Sequence, residues 1–386
     1  MKKLLSLVKT NEQFSKKLYL LSLLLFLILV LPGIRSWFIN QDILWLFILL
    51  FSFLISYICI PIVMIVATWL NIVDKPDKRK IHNTPIPLLG GVGIFVSFSV
   101  TIIYNNVFSF ELKGIAIGAT LIFVVELIDD IRPLPALIKL LIQTLAVAIM
   151  IRYGVVADFL PNRWWGEMLE IIITIIWMLG IINSLNFFDG MDGLAAGITI
   201  ISATFLGILA IQTNQTFLMF LSVALSGSSL GFLPYNFRYK KSALIFLGDA
   251  GSTFMGFLLA GMVVMGDWGV QTPVKAYAMP ILILGILIFD MTYTTISRIL
   301  SRKVTNFREW LDYTGKDHLH HRLSDIGLSH KQTVLFIYFL VSSLGLSALV
   351  LNDGSVTDAL LLLFQAVTIY LIIVILMVKK KNNKKG

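Results

Sequence analysis

Apolar runs long enough to cross a bilayer dominate this chain, and they decide its fold class. They lie near residues 18–32, 43–70, 88–104, 113–128, 136–152, 169–184, 193–211, 217–233, 244–265, 278–298, 334–351 and 357–378. A helical span needs about 20 mainly apolar residues, somewhat fewer when short. Inside lipid the backbone must satisfy its own hydrogen bonds, which open strands cannot do. The expected fold is therefore all-α, a polytopic transmembrane helical bundle of eleven to twelve spans. Composition agrees: the chain is 57% hydrophobic and 14% charged, against about 25% charged for an ordinary soluble domain. No polar stretch is long enough for a separate soluble unit, so residues 1–386 read as a single integral membrane domain.

The first run, Leu18 to Leu31, follows a basic segment without a clear small-residue cleavage site. It reads as a retained span, not a signal peptide. Cys59, the one cysteine, can form no disulfide within the chain and reads as a packing residue. The net charge of +9 does not point to nucleic acid here, because membrane proteins gather lysine and arginine in cytoplasmic loops. With the N-terminus placed inside, only Arg35, Lys113, Arg152, Arg163 and Lys275, of 31 lysines and arginines, fall outside. An even number of spans returns the C-terminus and its basic tail, 379–386, to the cytoplasm.

Five polar motifs fall at run ends on that same side. Asp129-Asp130 closes the 113–128 run, with Glu126 one turn earlier. Carboxylates at a helix C-terminus oppose the macrodipole. They suit a metal, base or phosphate site, or else form a solvated end neutralised by Arg132. Asn183, Asn186, Asp189 and Asp192 recur every three residues, a spacing that gives one slowly drifting helical stripe. Gly190 and Gly193 let the backbone turn and approach a ligand closely. An ordinary capped turn is the alternative, but polar groups at membrane depth are costly and usually functional.

Asp249 lies between Gly248 and Gly251 in Phe246-Leu-Gly-Asp-Ala-Gly-Ser252. It either caps the helix that follows or holds Mg²⁺ beside a diphosphate bound by free backbone N–H groups. His318, His320 and His321 place three of the five histidines within four residues. Zinc is one reading, but the oxygen-rich acids elsewhere favour Mg²⁺. The histidines and Arg322 are then left to contact phosphate and sugar oxygens, or simply to face solvent. The loop from Asp74 to Gly91 carries Arg79, Lys80 and His82 among prolines. It reads as an anion clamp or as an ordinary positive-inside loop.

The segments DKPDKRKIHNTPIPLLGG, IDD, NSLNFFDGMDGLAAG, FLGDAGSTFMGF and HLHHRL resemble the motifs of polyprenyl-phosphate N-acetylhexosamine-1-phosphate transferases of the WecA/TagO type. The phospho-MurNAc-pentapeptide translocase of peptidoglycan synthesis is a more distant relative. The resemblance runs from about residue 70 to 350. It implies a transferase core at 70–350, an extra N-terminal span at 18–32 and a cytoplasmic histidine loop at 299–333.

The resemblance further implies a bacterial inner (plasma) membrane enzyme with both termini cytoplasmic. Its donor is a UDP-sugar, giving GlcNAc-1-phosphate or the phosphate of another N-acetylated (6-deoxy)hexosamine. Its acceptor is undecaprenyl phosphate or another polyprenyl phosphate lipid, and UMP leaves. Mg²⁺ is the implied cofactor, with Mn²⁺ as a substitute. Asp249 is then the main metal ligand, with Asn186 as helper. Asp129 or Asp130 deprotonates or orients the lipid phosphate, and Asp189 and Asp192 complete the catalytic acids. Phe246 stacks on uracil, with Asp192 and Gly193 near the nucleotide. Arg79, Lys80, His82, Asn183, His318, His320, His321 and Arg322 contact phosphates and sugar. No nucleic acid partner is expected, and a homodimer is compatible with the resemblance. One-step and covalent mechanisms both stay open.

Three features depart from the family pattern. Glu126 stands where a small residue is usual, Arg308 to Gly315 lengthen the loop before the histidines, and the 18–32 span is extra. Asp290, a further intramembrane acid two turns before Arg298, reads either as structural or as a support behind the site residues. The non-enzyme alternative, a transporter, predicts polar residues along a mid-membrane path. Apart from Asp290 and Glu126, the polar residues gather at one face instead.

Overall fold

The computed structural model describes residues 16–76, 84–161, 163–238, 241–268, 273–313 and 315–383. Every one of the twelve apolar runs is a helix or a bent pair of helices. The first run forms α1 (Lys16–Val30) and α2 (Ile34–Asn40), which meet at 70°. Gly33 sits between them at φ 90°, a backbone conformation that glycine adopts without cost. Then follow α3 (Leu44–Trp69), α4 (Gly90–Asn105), α5 (Phe110–Ile131), α6 (Ala136–Arg152), α7 (Trp164–Phe188), α8 (Leu194–Gln212) and α9 (Thr216–Asn236). After them come α10 (Asp249–Met265), α11 (Pro273–Ile283), α12 (Gly285–Leu300), α13 (Phe307–Asp312), α14 (Leu319–Asp325), α15 (His330–Asp353) and α16 (Val356–Asn383).

This is a polytopic transmembrane helical bundle. Six helices, α3, α7, α8, α9, α15 and α16, are long and apolar enough to cross a membrane, and the two bent pairs raise the number to eight. The expectation of eleven to twelve spans also counts α4 and α10, which are apolar but only 16 and 17 residues long. It further counts α5 and α6, which carry Glu126, Asp129, Asp130 and Lys139. The last bent pair, Tyr277–Ile283 with Gly285–Leu300, turns by 77°. Pro280 removes one helical N–H donor a turn before that break.

One short ladder modifies the all-α expectation. β1 (Val73–Asp74) pairs antiparallel with β2 (Ile86–Pro87), Val73 opposite Pro87 and Asp74 opposite Ile86. Extended chain continues beyond it. The Phe246 amide donates to the Pro87 carbonyl at 2.8 Å, and the Gly90 and Gly91 amides donate to the Phe246 and Leu247 carbonyls at 2.9 and 2.7 Å. These bonds tie the start of α4 to the start of α10.

Helix α10 is the centre of the bundle. Every residue from Ala250 to Val263 is buried, and α10 packs against α4, α5, α7 and α8. Small residues allow that approach, as in other membrane bundles. A Cβ on Gly251 would meet Gly91 Cα at 2.7 Å, and one on Gly256 would meet Ile182 Cα at 2.9 Å. The effect is to hold the N-terminus of α10 against the C-termini of α5 and α7. All three ends carry acids.

Candidate active site

The acids at those ends are not equivalent. Asp130, in the last turn of α5, accepts from the backbone amides of Asp249 at 2.8 Å and Ala250 at 3.1 Å. The first amides of a helix have no internal partner and carry partial positive charge, so an acceptor oxygen satisfies them there. Gly248 makes the contact possible. Its φ is 82°, and a Cβ there would lie 2.6 Å from Asp130 Oδ2.

Asp129 faces the other way. Its Oδ1 accepts from the Leu134 amide at 2.6 Å, closing the turn after α5, and its Oδ2 accepts from Lys139 Nζ at 2.8 Å. Lys139 lies at the end of the first turn of α6. Its ammonium is also 2.9 Å from Glu126 Oε2 and 2.7 Å from Asp249 Oδ2. Glu126 Oε1 in turn accepts from Gln143 Nε2 at 3.2 Å, and Gln143 Oε1 accepts from Asn183 Nδ2 at 2.8 Å. A chain of hydrogen bonds and one ion pair therefore joins Asn183 to Asp249.

Sequence reasoning missed Lys139, counting it only as a basic residue on the inside. Its one visible signal was its place in the first turn after an acidic helix end.

Asn186 donates to Ser252 Oγ at 3.0 Å, which brings α7 onto the first turn of α10. Asp189 follows α7 as its cap residue. Loss of hydration, then the negative charges of Asp249, Asp130 and Asp192, push its carboxyl well above the usual carboxylate range, and a hydrogen bond from the Gly248 amide opposes them. Asp192 accepts from the Ala243 amide at 3.0 Å. Gly193, at φ 82°, donates its amide to Asn236 Oδ1 at 2.6 Å. Asn236 also donates to the Ile245 carbonyl. It thus holds the Asp192-Gly193 turn against the segment leading to Phe246, a role its own sequence context did not signal.

These residues surround a cavity of about 910 Å³. Asp130, Asp189, Asp192, Phe246, Asp249 and His321 line it together with Asn236, Arg238, Lys241, Lys316 and Lys331. The structure thus brings together acids expected for metal and phosphate and the aromatic expected for a base. It adds four basic side chains that the motifs did not mark. Arg79, Lys80 and His82 lie outside the described residues.

The three histidines occupy three environments. His318 Nδ1 is 2.7 Å from Asp290 Oδ2, and its Nε2 is 3.2 Å from Arg298 Nη2. A guanidinium only donates, so Nε2 accepts and Nδ1–H donates to Asp290. Both ring nitrogens are thus engaged within the protein. Asp290 also accepts from the Leu319 amide at 2.6 Å, and Arg298 grips Asp317 at 2.7 and 3.2 Å. His320 is 1% exposed, and neither ring nitrogen has a hydrogen-bond partner. Burial, then the neighbouring histidines, push its imidazole well below the usual range. It lies beneath Gly190, where a Cβ would meet Nε2 at 2.8 Å. Of these three histidines only His321 lines the cavity, which His330 also lines. Arg322 is held against α12, over the Tyr293 ring at 4.8 Å and 3.2 Å from Ser297 Oγ.

The lengthened loop stands apart. Its helix α13 packs against α6, and Trp310 donates to Thr295 Oγ1 at 3.3 Å. Lys303, Asn306, Arg308, Glu309 and Tyr313 line a separate cavity of about 430 Å³. None of them lines the larger one.

One oxygen each from Glu126, Asp129 and Asp249 lies within 4.8 Å of the others. Hard oxygens at that spacing suit a divalent cation. The Lys139 ammonium stands among them as a cation of the chain's own.

Residues 112–267 match the model of a family described as glycosyl transferase family 4. A Bacillus subtilis (strain 168) protein named "Probable undecaprenyl-phosphate N-acetylglucosaminyl 1-phosphate transferase" is 35% identical over 320 residues, 81% of this chain and 86% of its own length. The chain belongs to glycosyl transferase family 4. Further family members are similar over comparable lengths. A Mycobacterium leprae (strain TN) "Decaprenyl-phosphate N-acetylglucosaminephosphotransferase" is 30% identical over 76% of this chain and 80% of its own length. An Escherichia coli (strain K12) "Undecaprenyl-phosphate alpha-N-acetylglucosaminyl 1-phosphate transferase" is 26% identical over 73% and 78%. The family 4 match covers Asp130, Asp189, Asp192 and Asp249 of the cavity lining and ends before the histidine loop. The two acids a transport path would have used are both drawn into the same end, Glu126 by Lys139 and Asp290 by His318.

Proposed function

We propose that this chain transfers N-acetylglucosamine 1-phosphate from UDP-GlcNAc to a polyprenyl phosphate and releases UMP. The observation that carries the proposal is the 910 Å³ cavity, where Asp130, Asp189, Asp192 and Asp249 face Lys241, Lys316 and His321. The relatives bearing that activity in their names support the choice of reaction.

An oxygen of the lipid phosphate attacks the β-phosphorus of the donor, and the bond to the bridging oxygen of UMP breaks. A phosphomonoester has a second pKa of about 6, so the acceptor is largely dianionic at neutral pH and needs no strong base. The carboxylate oxygens of Asp129 and Asp130 are already engaged by amides and by Lys139. Their part is to orient, through Lys139 and the start of α10. Positioning and charge balance then supply the rate. Asp249, with Asn186 beside it, would hold Mg²⁺, which supplies charge neutralisation at the departing diphosphate oxygens. Phe246 offers a face for uracil. Lys241, Lys316, His321 and Lys331 offer donors to phosphate and sugar oxygens. The charge asymmetry of the loops supports a cytoplasmic position for this end of the bundle and for both termini.

Purified protein in detergent, given undecaprenyl phosphate, Mg²⁺ and a panel of UDP-N-acetylhexosamines, should release UMP fastest from UDP-GlcNAc. Asp249→Ala should abolish release while the protein still purifies as a folded monodisperse species. Faster release from a 6-deoxy donor would move the substrate assignment. No release from any donor would sink the reading.

A further inference from the structure

Glu126 is 1% exposed. Buried carboxylates persist where they are paired, and the partner of Glu126 is Lys139. The ammonium has three carboxylate neighbours, at 2.9, 2.8 and 2.7 Å, and one of them is Asp249. If Asp249 ligates a divalent cation, the ammonium now 2.7 Å away competes with that ion for the same carboxylate. Two cations would share one carboxylate, and like charges at that range repel strongly in a half-buried site. Asp129 keeps one oxygen, Oδ2, on the ammonium, and its Oδ1 is held by the Leu134 amide. Glu126 supplies the second anion. Its geometry is fixed in advance by Gln143, which Asn183 holds in turn.

We infer that Glu126 is a positioning residue that retains Lys139 when Asp249 turns to a divalent cation, and so sets how tightly this protein binds that ion. The inference rests on the reading of Asp249 as metal ligand. Glu126 acts through Lys139 and touches neither substrate nor ion. In its absence Lys139 depends more heavily on Asp249, and the ion must compete with it.

The test is direct binding of Mn²⁺ alone to the purified full-length chain, read as free ion by electron paramagnetic resonance. Glu126→Gln keeps the shape and the contact to Gln143 and removes the charge. It should weaken Mn²⁺ binding about tenfold, the scale seen when the partner of a ligating group is removed. Glu126→Asp, which restores the charge, should return most of that loss. In a Lys139→Met background, removing Glu126 should change Mn²⁺ binding by less than about threefold, because the residue it acts through is gone. Unchanged binding in Glu126→Gln overturns the inference. So does an equal loss with and without Lys139, which would mean that the charge acts on the ion itself. Should Lys139→Met not fold, the aspartate variant decides: binding as weak as in Glu126→Gln refutes a role for the charge. Asp249→Ala separates the two readings. If it binds Mn²⁺ as wild type does, the metal assignment fails regardless of Glu126, and UMP release by the wild type tests the reaction independently.

Discussion

The carboxylate of Asp130 caps the helix that begins at Asp249, with Oδ1 2.8 Å from the Asp249 amide and Oδ2 3.1 Å from the Ala250 amide. A helix N-terminus flanked by glycines usually suggests a phosphate cradle. Here a side chain of the same protein already fills it. On the proposed reading, donor phosphates would meet side chains rather than those first amides.

Asp130→Asn follows from this. An amide has one acceptor oxygen, so one of the two helix amides loses its partner. We expect a loss of about 1 kcal/mol in stability, typical of a weakened N-cap. The loss in turnover should be much larger, because Asp249 is displaced with the helix start. Thermal unfolding in detergent and UMP release, measured on one preparation, check the two together. Equal wild-type values would show that the cap is incidental.

Gly248 and Gly180 make a paired test of backbone requirements. At Gly248 an alanine must adopt φ 82° and place its Cβ 2.6 Å from Asp130 Oδ2. Left-handed backbone alone costs about 1–2 kcal/mol for a residue with a Cβ. Gly248→Ala should lower the melting temperature and remove most activity. Gly180, inside α7, has nothing within 4 Å of an added Cβ. Gly180→Ala should raise stability by roughly 0.5–1 kcal/mol, the helix-propensity gain, with turnover unchanged.

Asp290 holds the histidine loop by two bonds, one to the His318 ring and one to the Leu319 amide. Asp290→Ala leaves two buried donors without partners. Each costs about 1–3 kcal/mol, so a clear drop in melting temperature is expected. Asp290→Asn keeps one acceptor and should fold, with kcat lowered about tenfold as His321 loses its fixed place over the cavity. The UDP-GlcNAc KM and kcat of this variant report whether donor binding or the chemical step suffers.

Several of these relationships were legible in the sequence, and the reason is physical. Apolar length and backbone satisfaction in lipid specify helices regardless of tertiary context, and all twelve runs are helical. Acids at run ends marked the end that holds the cavity, because so few polar groups were available to place elsewhere. Pairings between distant segments left no such trace. Lys139 looked like one more basic residue on the inside, and only the packing of α6 on α5 and α10 shows it among three carboxylates. His318, His320 and His321 read as one cluster, yet helix α14 sends them to Asp290, to the underside of Gly190 and to the cavity. The β1–β2 ladder is two residues long, too short for any periodicity to announce it.

The pH dependence of stability tests the environment of His320. Its folded-state pKa is depressed by burial, while in the unfolded chain it returns to about 6.5. Above about 6.5 neither state is protonated and the full stability is present. As pH falls below that value, the unfolded chain takes up a proton that the folded protein refuses, so stability is lost by up to about 1.4 kcal/mol per unit. Asp189 slopes the other way. Its raised folded pKa means that the folded state keeps a proton the unfolded chain has lost, so stability falls as pH rises through the interval above about 3.9. The difference between wild type and His320→Phe removes the Asp189 contribution and isolates the histidine. Below about pH 6.5 the phenylalanine variant should lose less stability per unit than wild type, in detergent melts taken from pH 8 to pH 5. Parallel curves would mean that His320 finds a partner, or a proton, in the folded protein.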